Sequence, residues 1–572
     1  MDQSAQESEL EGYNSAESTP PESGCTTQDE VVDDTFIKSN NLEEDEPTTQ
    51  QPDAAVTTGS KPQIDSSSGH ESVLLHPSSS SADLVHNIIQ GIKSDDPTLQ
   101  LTACQSLLLT TPQKSESSLS SSTASLPSIL NSLLDPIIEA GLVGQILGFT
   151  TSSPSSSSSS LRTAAAWVVA SLARIESKLL VDKGAIPKLI QILTAERLDL
   201  TNASPVIPAA YGLSVLAITS GGYDKRLFVN EIRDGGVIPI LRSRVRHVLD
   251  EMSTTTSNGD LYPLLLALTR LAKSVCYVPK NVKITTDRMS LLKTLCDICA
   301  RVRIDENSSW TEVDILYHAT WGLYYLTKTG REDAMDVLVR RNEDNESPTI
   351  IQNLVHGVAL AQRDGQNHHL RQRLLRPCLN VIGNVVSSTV DVHTDIVLEC
   401  GVLPHLNRLM LEAEWTGEVN WIVSNIAAGN VTQKEELFQA GFFPLLLDVF
   451  RSGSLPGRKE AVFTVVNIMD KGSLAHKEWL VNNGVLSLLI QLVKEHPDLV
   501  LVNVLDAIYL FVKSFRSPNN SLDDEDILQR HLNESGVLVE LSKFQDHEDD
   551  EVTNRIDYIL DVGLNNSNNW NI

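Results

Sequence analysis

The sequence predicts an all-α protein built from stacked helical repeats, preceded by a disordered acidic segment. Three observations predict this. Leu, Val, Ile and Ala recur at helical spacing from about residue 82 onward, as in DLVHNIIQGI and PKLIQILT. One glycine-containing phrase returns along the same region, where strand-like alternation is scarce. The first 82 residues instead hold 17 Asp and Glu against two Lys and no Arg, a balance of −15.

The acidic charge separates a tail from the rest of the chain. The 572 residues carry a formal net charge of −29, so about half of it lies in residues 1–82. That stretch is rich in Ser, Thr, Pro and Gln and cannot bury enough apolar surface to offset chain entropy, so we predict that it is disordered. The acidic balance argues against nucleic-acid binding, which needs clustered Lys and Arg. Seven cysteines are too few for a disulfide scaffold and are typical of a reducing compartment.

Targeting and catalytic signals are missing from the sequence. The opening MDQSAQESELEGYN has no basic and apolar regions of a secretory signal, and no run of about 18 apolar residues follows, so we expect no membrane span. There is no phosphate-cradling glycine loop, GxSxG or HExxH, so we expect neither an enzyme nor a cofactor. Cys296 and Cys299 form a lone CxxC in an apolar helical run, which favours small buried side chains over a metal site.

The recurring phrase is a small or acidic residue, Gly, two apolar residues and often Pro, followed by an amphipathic helix. It reads DKGAIPKLIQIL from Asp182 and QAGFFPLLLDVF from Gln439. Its glycines fall at 141, 184, 236, 401, 441, 484 and 536, and the shorter steps are 40 to 43 residues. Gly ends one helix in a left-handed cap, and Pro pre-sets the first turn of the next. An all-helical period near 40–47 residues is typical of an armadillo or HEAT solenoid, whose superhelix leaves a concave groove.

We place the solenoid at residues 83–562, after the tail 1–82 and before a flexible C-terminus at 563–572. The Ser-rich and polar stretches within it are predicted to be loop insertions, at 112–127, 150–160, 245–260, 301–312 and 341–372. The basic runs RSRVRH from Arg242 and RQRLLR from Arg371 are interpreted as solvated helix faces, with contact to an acidic partner as the alternative for RQRLLR.

A second phrase lies between the glycines. It reads AAAWVVASLA from Ala164, ATWGLYYLT from Ala319 and EVNWIVSNIAAGN from Glu418, and it can place an aromatic and a polar side chain one turn apart on one helix face. With both phrases at this spacing, residues from about Leu84 to Leu560 resemble the importin-α family of armadillo adaptors. LVHNIIQGIKSDDPTLQLTACQSLLL is similar to the family's first repeat, and LSKFQDHEDDEVTNRIDYIL is similar to its last.

The resemblance implies a right-handed armadillo superhelix of about ten repeats that binds Lys/Arg-rich nuclear localisation signals. Family Trp rings form slots for Lys and Arg stems, with cation–π attraction at the ring face. The Asn four residues later hydrogen-bonds the ligand backbone, and nearby acidic residues pair with its cations. The family has a major site in repeats two to four and a minor site in repeats six to eight.

In the first half of the chain the family pattern is only partly present. The second repeat has Trp167 with Ser171 at the Asn position, and the third has Tyr211 with Val215. The fourth has Leu266 and Arg270, and an arginine at that position repels a basic ligand. The fifth-repeat pair is Trp321 and Tyr325, with His318 where the family has Asp.

The second half keeps more of the pattern. Asn384 matches in the sixth repeat, and the seventh has Trp421 and Asn425 with the acidic Glu418 three residues before the Trp. The eighth has Phe463 for Trp, with Asn467 and the acidic Glu460. We therefore predict that basic peptides bind chiefly through the minor-site half.

Further partners are implied by the resemblance. The family recruits importin-β through a basic N-terminal segment, but residues 1–82 contain no Lys/Arg cluster, so importin-β binding does not follow from this sequence. The last repeat resembles the region that engages the family's export receptor, which implies shuttling between cytoplasm and nucleus. The alternative function is an armadillo scaffold, or a protein that sequesters cargo without importin-β-dependent transport.

Overall fold

The structure is a computed structural model. It describes residues 81–110, 135–151, 156–194, 204–219, 223–255, 259, 261–276, 286–341, 349–363, 370–515 and 522–564. All of them belong to one compact unit, Ala55–Ile572. The predicted acidic tail and flexible C-terminus lie almost wholly outside the described residues.

Ten helices of the described residues form one continuous stack, which we call inner helices one to ten. In order they are Pro97–Thr110, Ser156–Leu172, Val206–Thr219, Tyr262–Cys276, Trp310–Thr327, Arg376–Val386, Thr416–Ala428, Leu455–Lys471, Pro497–Phe515 and Asp550–Gly563. Each inner helix packs against the next along the whole stack.

Each inner helix also packs against an outer helix that precedes it in the chain. The outer helices are Ser81–Lys93, Val143–Phe149, Ala185–Thr194, Val237–Thr254, Thr286–Arg301, Thr349–Ala361, Leu403–Leu409, Phe442–Ser452, Val485–Glu495 and Val537–Leu541. Seven connecting helices lead into outer helices, namely Ser177–Asp182, Tyr223–Asp234, Glu332–Leu338, Asp391–Glu399, Val431–Gln439, Leu474–Asn482 and Leu522–Glu534. Arg371–Leu375 is a π-helical turn, and Ser542–Phe544 is a 3₁₀ turn.

This order of connecting, outer and inner helix confirms the predicted all-α armadillo solenoid. Buried apolar side chains form one cluster that runs from Ile88 to Val562, because each repeat covers the apolar faces of its neighbours. In such a stack the inner helices line the concave groove. The second sequence phrase therefore lies on the groove side, since Trp167, Trp321 and Trp421 all belong to inner helices.

The seven repeat glycines behave as predicted. All of them have a positive φ, between 71° at Gly141 and 85° at Gly484. A Cβ at Gly484 would meet no atom within 4 Å, so the backbone conformation rather than space requires glycine there.

Gly484→Ala is expected to lower the free energy of unfolding by roughly 1–2 kcal/mol, because a side chain disfavours the left-handed conformation. Gly144→Ala is the matched control, since Gly144 lies within an outer helix and its Cβ would also meet open space. Thermal unfolding should show a lower Tm for Gly484→Ala and an unchanged or higher Tm for Gly144→Ala. An equal Tm for both variants would contradict the helix-cap role.

Several predicted loop insertions are wrong in part. The stretch 341–372 contains the outer helix Thr349–Ala361, whose Ile351, Leu354 and Val358 are buried against the core. This helix completes the sixth repeat. Its apolar residues do recur at helical spacing, but the polar residues on either side of it made the whole stretch resemble a loop. Helix Val237–Thr254 extends into 245–260, and helix Ser156–Leu172 begins within the serine run. The insertion predicted at 112–127 lies outside the described residues.

Candidate functional site

Trp421 and Asn425 lie one turn apart on the seventh inner helix, as the sequence predicted. The partly buried Trp421 ring rests on Gly383 of the sixth inner helix, where any Cβ would overlap it. Asn425 Nδ2 donates to the backbone carbonyl of Trp421 at 2.9 Å, which ties the amide to the preceding turn of the same helix. Packing on a glycine therefore fixes the position of this aromatic side chain.

The other predicted asparagines connect neighbouring inner helices. Asn467 Nδ2 donates to the carbonyl of Ser424 at 2.8 Å, which joins the eighth helix to the seventh. Asn384 is 6% exposed and donates to Thr327 Oγ1 at 2.9 Å, which joins the sixth helix to the fifth. Asn467 is only partly buried, so it is better placed than Asn384 to meet a ligand.

The two predicted acidic residues differ in their surroundings. Glu418 forms an ion pair with Arg376, and its side chain is 12% exposed. Arg376 also lies over the Trp415 ring, with Cζ 4.9 Å from the centroid. Glu418 thus already has a cation from its own chain.

Glu460 lies on the eighth inner helix with Phe463 and Asn467, and their spacing places all three on one face. Burial raises the pKa of the Glu460 carboxyl to about 7, although the Lys459 ammonium opposes the shift. The carboxyl is therefore partly protonated near neutral pH.

An aromatic cluster surrounds Trp321 on the fifth inner helix. The Trp321 ring centroid lies 5.5 Å from that of Tyr324 and 6.0 Å from that of Tyr325. Lys328 Nζ lies 5.8 Å from the centroid of the Tyr325 ring. Beside this cluster, residues of the fifth and sixth inner helices, of the π turn and of the segment before the seventh inner helix line a cavity of about 260 Å³. They are Tyr317, Trp321, Arg371, Arg376, Pro377, Glu414 and Trp415.

In the first half of the chain, two of the protein's own arginines lie against the predicted aromatic residue Tyr211. The Trp167 and Tyr211 ring centroids are 5.9 Å apart. Arg174 donates a hydrogen bond to the Tyr211 hydroxyl, and Arg270 Cζ lies 5.1 Å from the Tyr211 centroid. Tyr211 is 8% exposed. Ser171 lies on the same helix as Trp167 and is partly buried. A basic peptide would have to displace these guanidinium groups.

The sequence did not indicate the contacts that cations make with two aromatic residues, Tyr317 and Trp415. Tyr317 carries two cations near its ring, with Arg373 Cζ at 4.9 Å and Lys273 Nζ at 5.3 Å from the centroid. Arg371 lies over Trp415 at 5.9 Å and forms an ion pair with Glu412. The interpretation of RQRLLR as a solvated face is therefore wrong. Arg373 lies against the ring of Tyr317 on the fifth inner helix, and Arg371 and Arg376 lie against the ring of Trp415, which directly precedes the seventh inner helix. The only sequence signal for these arginine–aromatic contacts is the position of the basic run, which lies just before an inner helix.

Two further expectations concern metal and membrane. Cys296 and Cys299 are buried among apolar side chains, and desolvation raises the pKa of the Cys299 thiol to about 12. Within the described part of the chain, no three His, Cys, Asp or Glu side chains group closely enough to hold a metal ion. The helices that the structure describes also include none with the length and hydropathy of a membrane span.

Comparison with solved structures bears on the fold. An engineered protein from the Northeast Structural Genomics Consortium superposes with a TM-score of 0.60 at 18% sequence identity, over 84% of this chain and 98% of that one. Together with the repeat order of helices, this settles the architecture. The chain is an armadillo-repeat protein.

Two curated relatives match part of the chain. Importin subunit alpha-1a of Oryza sativa subsp. japonica is 23% identical over 295 residues, which are 47% of this chain and 50% of the relative. Importin subunit alpha-1 of Caenorhabditis elegans is 24% identical over 138 residues, or 24% of this armadillo protein and 26% of the relative. The armadillo chain thus matches half or less of the length of these relatives, and no family model matches it.

Proposed function

We propose that this armadillo protein binds Lys/Arg-rich peptides in an extended conformation along inner helices seven and eight. The observation that carries the proposal is the partly exposed pair Trp421 and Phe463 on adjacent inner helices, flanked by Asn425 and Asn467. The partial similarity to two importin-α subunits supports the same function.

The side chains on inner helices seven and eight have the chemistry that a basic ligand requires. Aromatic ring faces attract Lys and Arg and accommodate their aliphatic stems. Asn425 and Asn467 each use one amide hydrogen in an internal bond, and an amide carries a second hydrogen and an acceptor oxygen for a ligand backbone. Glu460 supplies negative charge once it is ionised.

Fluorescence anisotropy tests the binding directly. A labelled peptide with five or six Lys and Arg residues is titrated with the protein, next to a peptide of the same length with Gln in their place. We expect saturable binding of the basic peptide that weakens as salt is added, because ionic attraction is screened. Equal affinity for the Gln peptide, or no binding of either, would overturn the proposal.

Nuclear import is the biological role that we propose for this binding. The adaptor would carry cargo with a basic signal and shuttle between cytoplasm and nucleus, with export through its last repeat. In permeabilised cells supplied with importin-β and this protein, a reporter carrying a basic signal should accumulate in nuclei. A reporter whose signal is replaced by Gln is the control, and equal distribution of both would contradict this role.

The second candidate is an armadillo scaffold or a cargo-sequestering protein without importin-β-dependent transport. The contacts of Arg174 and Arg270 with Tyr211 favour this candidate, because these guanidinium groups occupy an aromatic position that a basic signal would need in the first half of the groove. Intact peptide binding combined with failed nuclear accumulation would select this candidate over the import adaptor.

Affinity for the basic peptide should rise with pH between about 6 and 8. The folded-state pKa of Glu460 is raised by burial to about 7, above its ordinary value, so the carboxyl gains its charge in this window. Peptide Lys and Arg stay protonated throughout. We expect a several-fold tighter Kd at the upper end and a flatter profile for Glu460→Gln. A profile of the same slope in Glu460→Gln would exclude this carboxyl as its cause.

The raised pKa of Glu460 also predicts that the stability of the folded protein falls as pH rises, opposite to the trend in peptide affinity. Because the raised pKa favours the protonated carboxyl in the folded state, its stabilising contribution is complete below the unfolded pKa and is lost as pH rises through about 7. Between pH 5 and pH 8, the free energy of unfolding should therefore decrease less in Glu460→Gln than in the unmodified protein.

A further inference from the structure

Three cations of the central groove meet around the fifth inner helix, and we call Arg270, Lys273 and Arg373 the central cation cluster. Arg270 and Lys273 lie one turn apart on the fourth inner helix. Arg373 lies on the π turn before the sixth. Lys273 Nζ and Arg373 Cζ lie 5.3 Å and 4.9 Å from the Tyr317 centroid. Cations from two sides of the fifth helix therefore converge on one ring.

A buried polar group without a partner lies next to this cluster. His318 follows Tyr317 in the chain, is 6% exposed, and has no hydrogen-bond partner at either ring nitrogen. Burial, together with the positive charges of Arg270, Lys273 and Arg373, holds the pKa of His318 well below its ordinary value. The groove at this point thus has a positive field, although Arg373 Nε lies 3.5 Å from the Asp314 carboxylate.

The neighbouring cavity offers room for a ligand group. Tyr317 and Trp321 line the cavity of about 260 Å³ together with Arg371 and Arg376. These two arginines are paired with Glu412 and Glu418, respectively. The buried Trp321 Nε1 has no hydrogen-bond acceptor within the described structure. Since one water takes up about 30 Å³ in the liquid, the cavity can hold a carboxylate side chain with water around it.

We propose that the central groove binds an acidic side chain of the same peptide whose basic residues lie on inner helices seven and eight. This proposal rests on the proposed function, because it needs a peptide that runs along the groove. The ligand would then be a segment of mixed charge. Its Asp or Glu meets the central cation cluster, which would repel a Lys or Arg, and the adjacent cavity gives room for the side chain although Glu414 is among the residues that line it.

The stack of inner helices gives the spacing within such a ligand. Tyr317 lies on the fifth inner helix and Trp421 on the seventh, two helix steps apart. Packed helices lie roughly 8–10 Å apart and an extended chain spans about 3.3–3.6 Å per residue, so the acidic residue is expected roughly five or six positions from the residue bound at Trp421.

Peptide titrations by fluorescence anisotropy test the proposal. All peptides carry the same Lys/Arg cluster. In one set an Asp pair lies five and six residues before or after the cluster, and in the other Asn replaces Asp. The Asp peptide in one of the two orientations should bind about tenfold more tightly than its Asn counterpart, the expected size for a charge-assisted contact. Equal affinity of Asp and Asn peptides in both orientations would overturn the proposal.

Lys273→Glu tests whether the preference for the Asp peptide over the Asn peptide arises at the central cation cluster. This substitution should abolish the preference for Asp over Asn while the Asn peptide binds at least as well as before. Lys293→Glu is the matched control, since Lys293 is exposed on an outer helix, and it should keep the preference. A preference that persists in Lys273→Glu would contradict the assigned position.

An acidic peptide without Lys or Arg separates this proposal from the basic-peptide function. If no basic peptide binds but the acidic one does, and Lys273→Glu weakens it, the central anion site stands while the proposed function fails. If basic peptides bind without regard to Asp, the proposed function stands and the central site fails. If none of the peptides binds, both are overturned.

Discussion

Trp421→Ala is expected to weaken binding of a Lys/Arg-rich peptide roughly 10- to 100-fold, equivalent to about 1–3 kcal/mol of binding free energy. The ring supplies both the cation–π face and one wall of the slot for the ligand stem. Its position is fixed because it packs on Gly383, so little ordering is required when the ligand binds.

Trp479→Ala is the control for this substitution. Trp479 is a partly buried tryptophan of the connecting helix Leu474–Asn482, and its ring packs on Phe438 of another connecting helix and on Phe443 of an outer helix. It should lower stability without changing the Kd by more than about twofold. Gly383→Ala gives an independent check, since the added methyl displaces the Trp421 ring but leaves it present. Unchanged affinity in both Trp421→Ala and Gly383→Ala would remove Trp421 from the binding site.

Arg376→Gln is expected to have two opposite effects. Stability should fall by about 1–3 kcal/mol, because Glu418 loses its ion pair and is left as a largely buried carboxylate. The contact of Arg376 with the Trp415 ring is lost as well. Affinity for a basic peptide should rise about tenfold, since a ligand Lys or Arg can then pair with Glu418.

Chemical unfolding and the same anisotropy titration measure the two effects. Arg451→Gln is the control, because Arg451 forms an ion pair with Asp448 in which both side chains are about half exposed, and such pairs contribute little. Weaker peptide binding in Arg376→Gln would contradict the competition between Arg376 and the ligand for Glu418.

Much of the fold could be predicted because the repeat signals are local. Glycine at 184, 441 and 484 predicts a left-handed cap wherever it recurs, and the cap fixes where an outer helix begins. Loop boundaries were harder to predict, because polar composition does not separate a loop from a helix that is half exposed. Thr349–Ala361 is such a helix, and only packing against its neighbours shows that it completes a repeat.

For the candidate site, the sequence predicts only how its residues are spaced along each inner helix. The sequence places Trp421 and Asn425 one turn apart, and the structure agrees. It does not show that Arg376 pairs with Glu418 or that Arg270 lies over Tyr211, because each contact joins residues more than 40 positions apart. The sequence does not reveal the π turn either. This turn changes the helical register, so the face on which each arginine lies cannot be assigned from α-helical spacing.

Hydrogen–deuterium exchange tests the central claim most directly, namely that a basic peptide occupies the second half of the groove. Exchange is measured for the full chain with and without a saturating Lys/Arg-rich peptide. We predict slower exchange in inner helices seven and eight, Thr416–Ala428 and Leu455–Lys471, and no change in Ser156–Leu172 and Val206–Thr219. Protection confined to the latter two helices would contradict the claim.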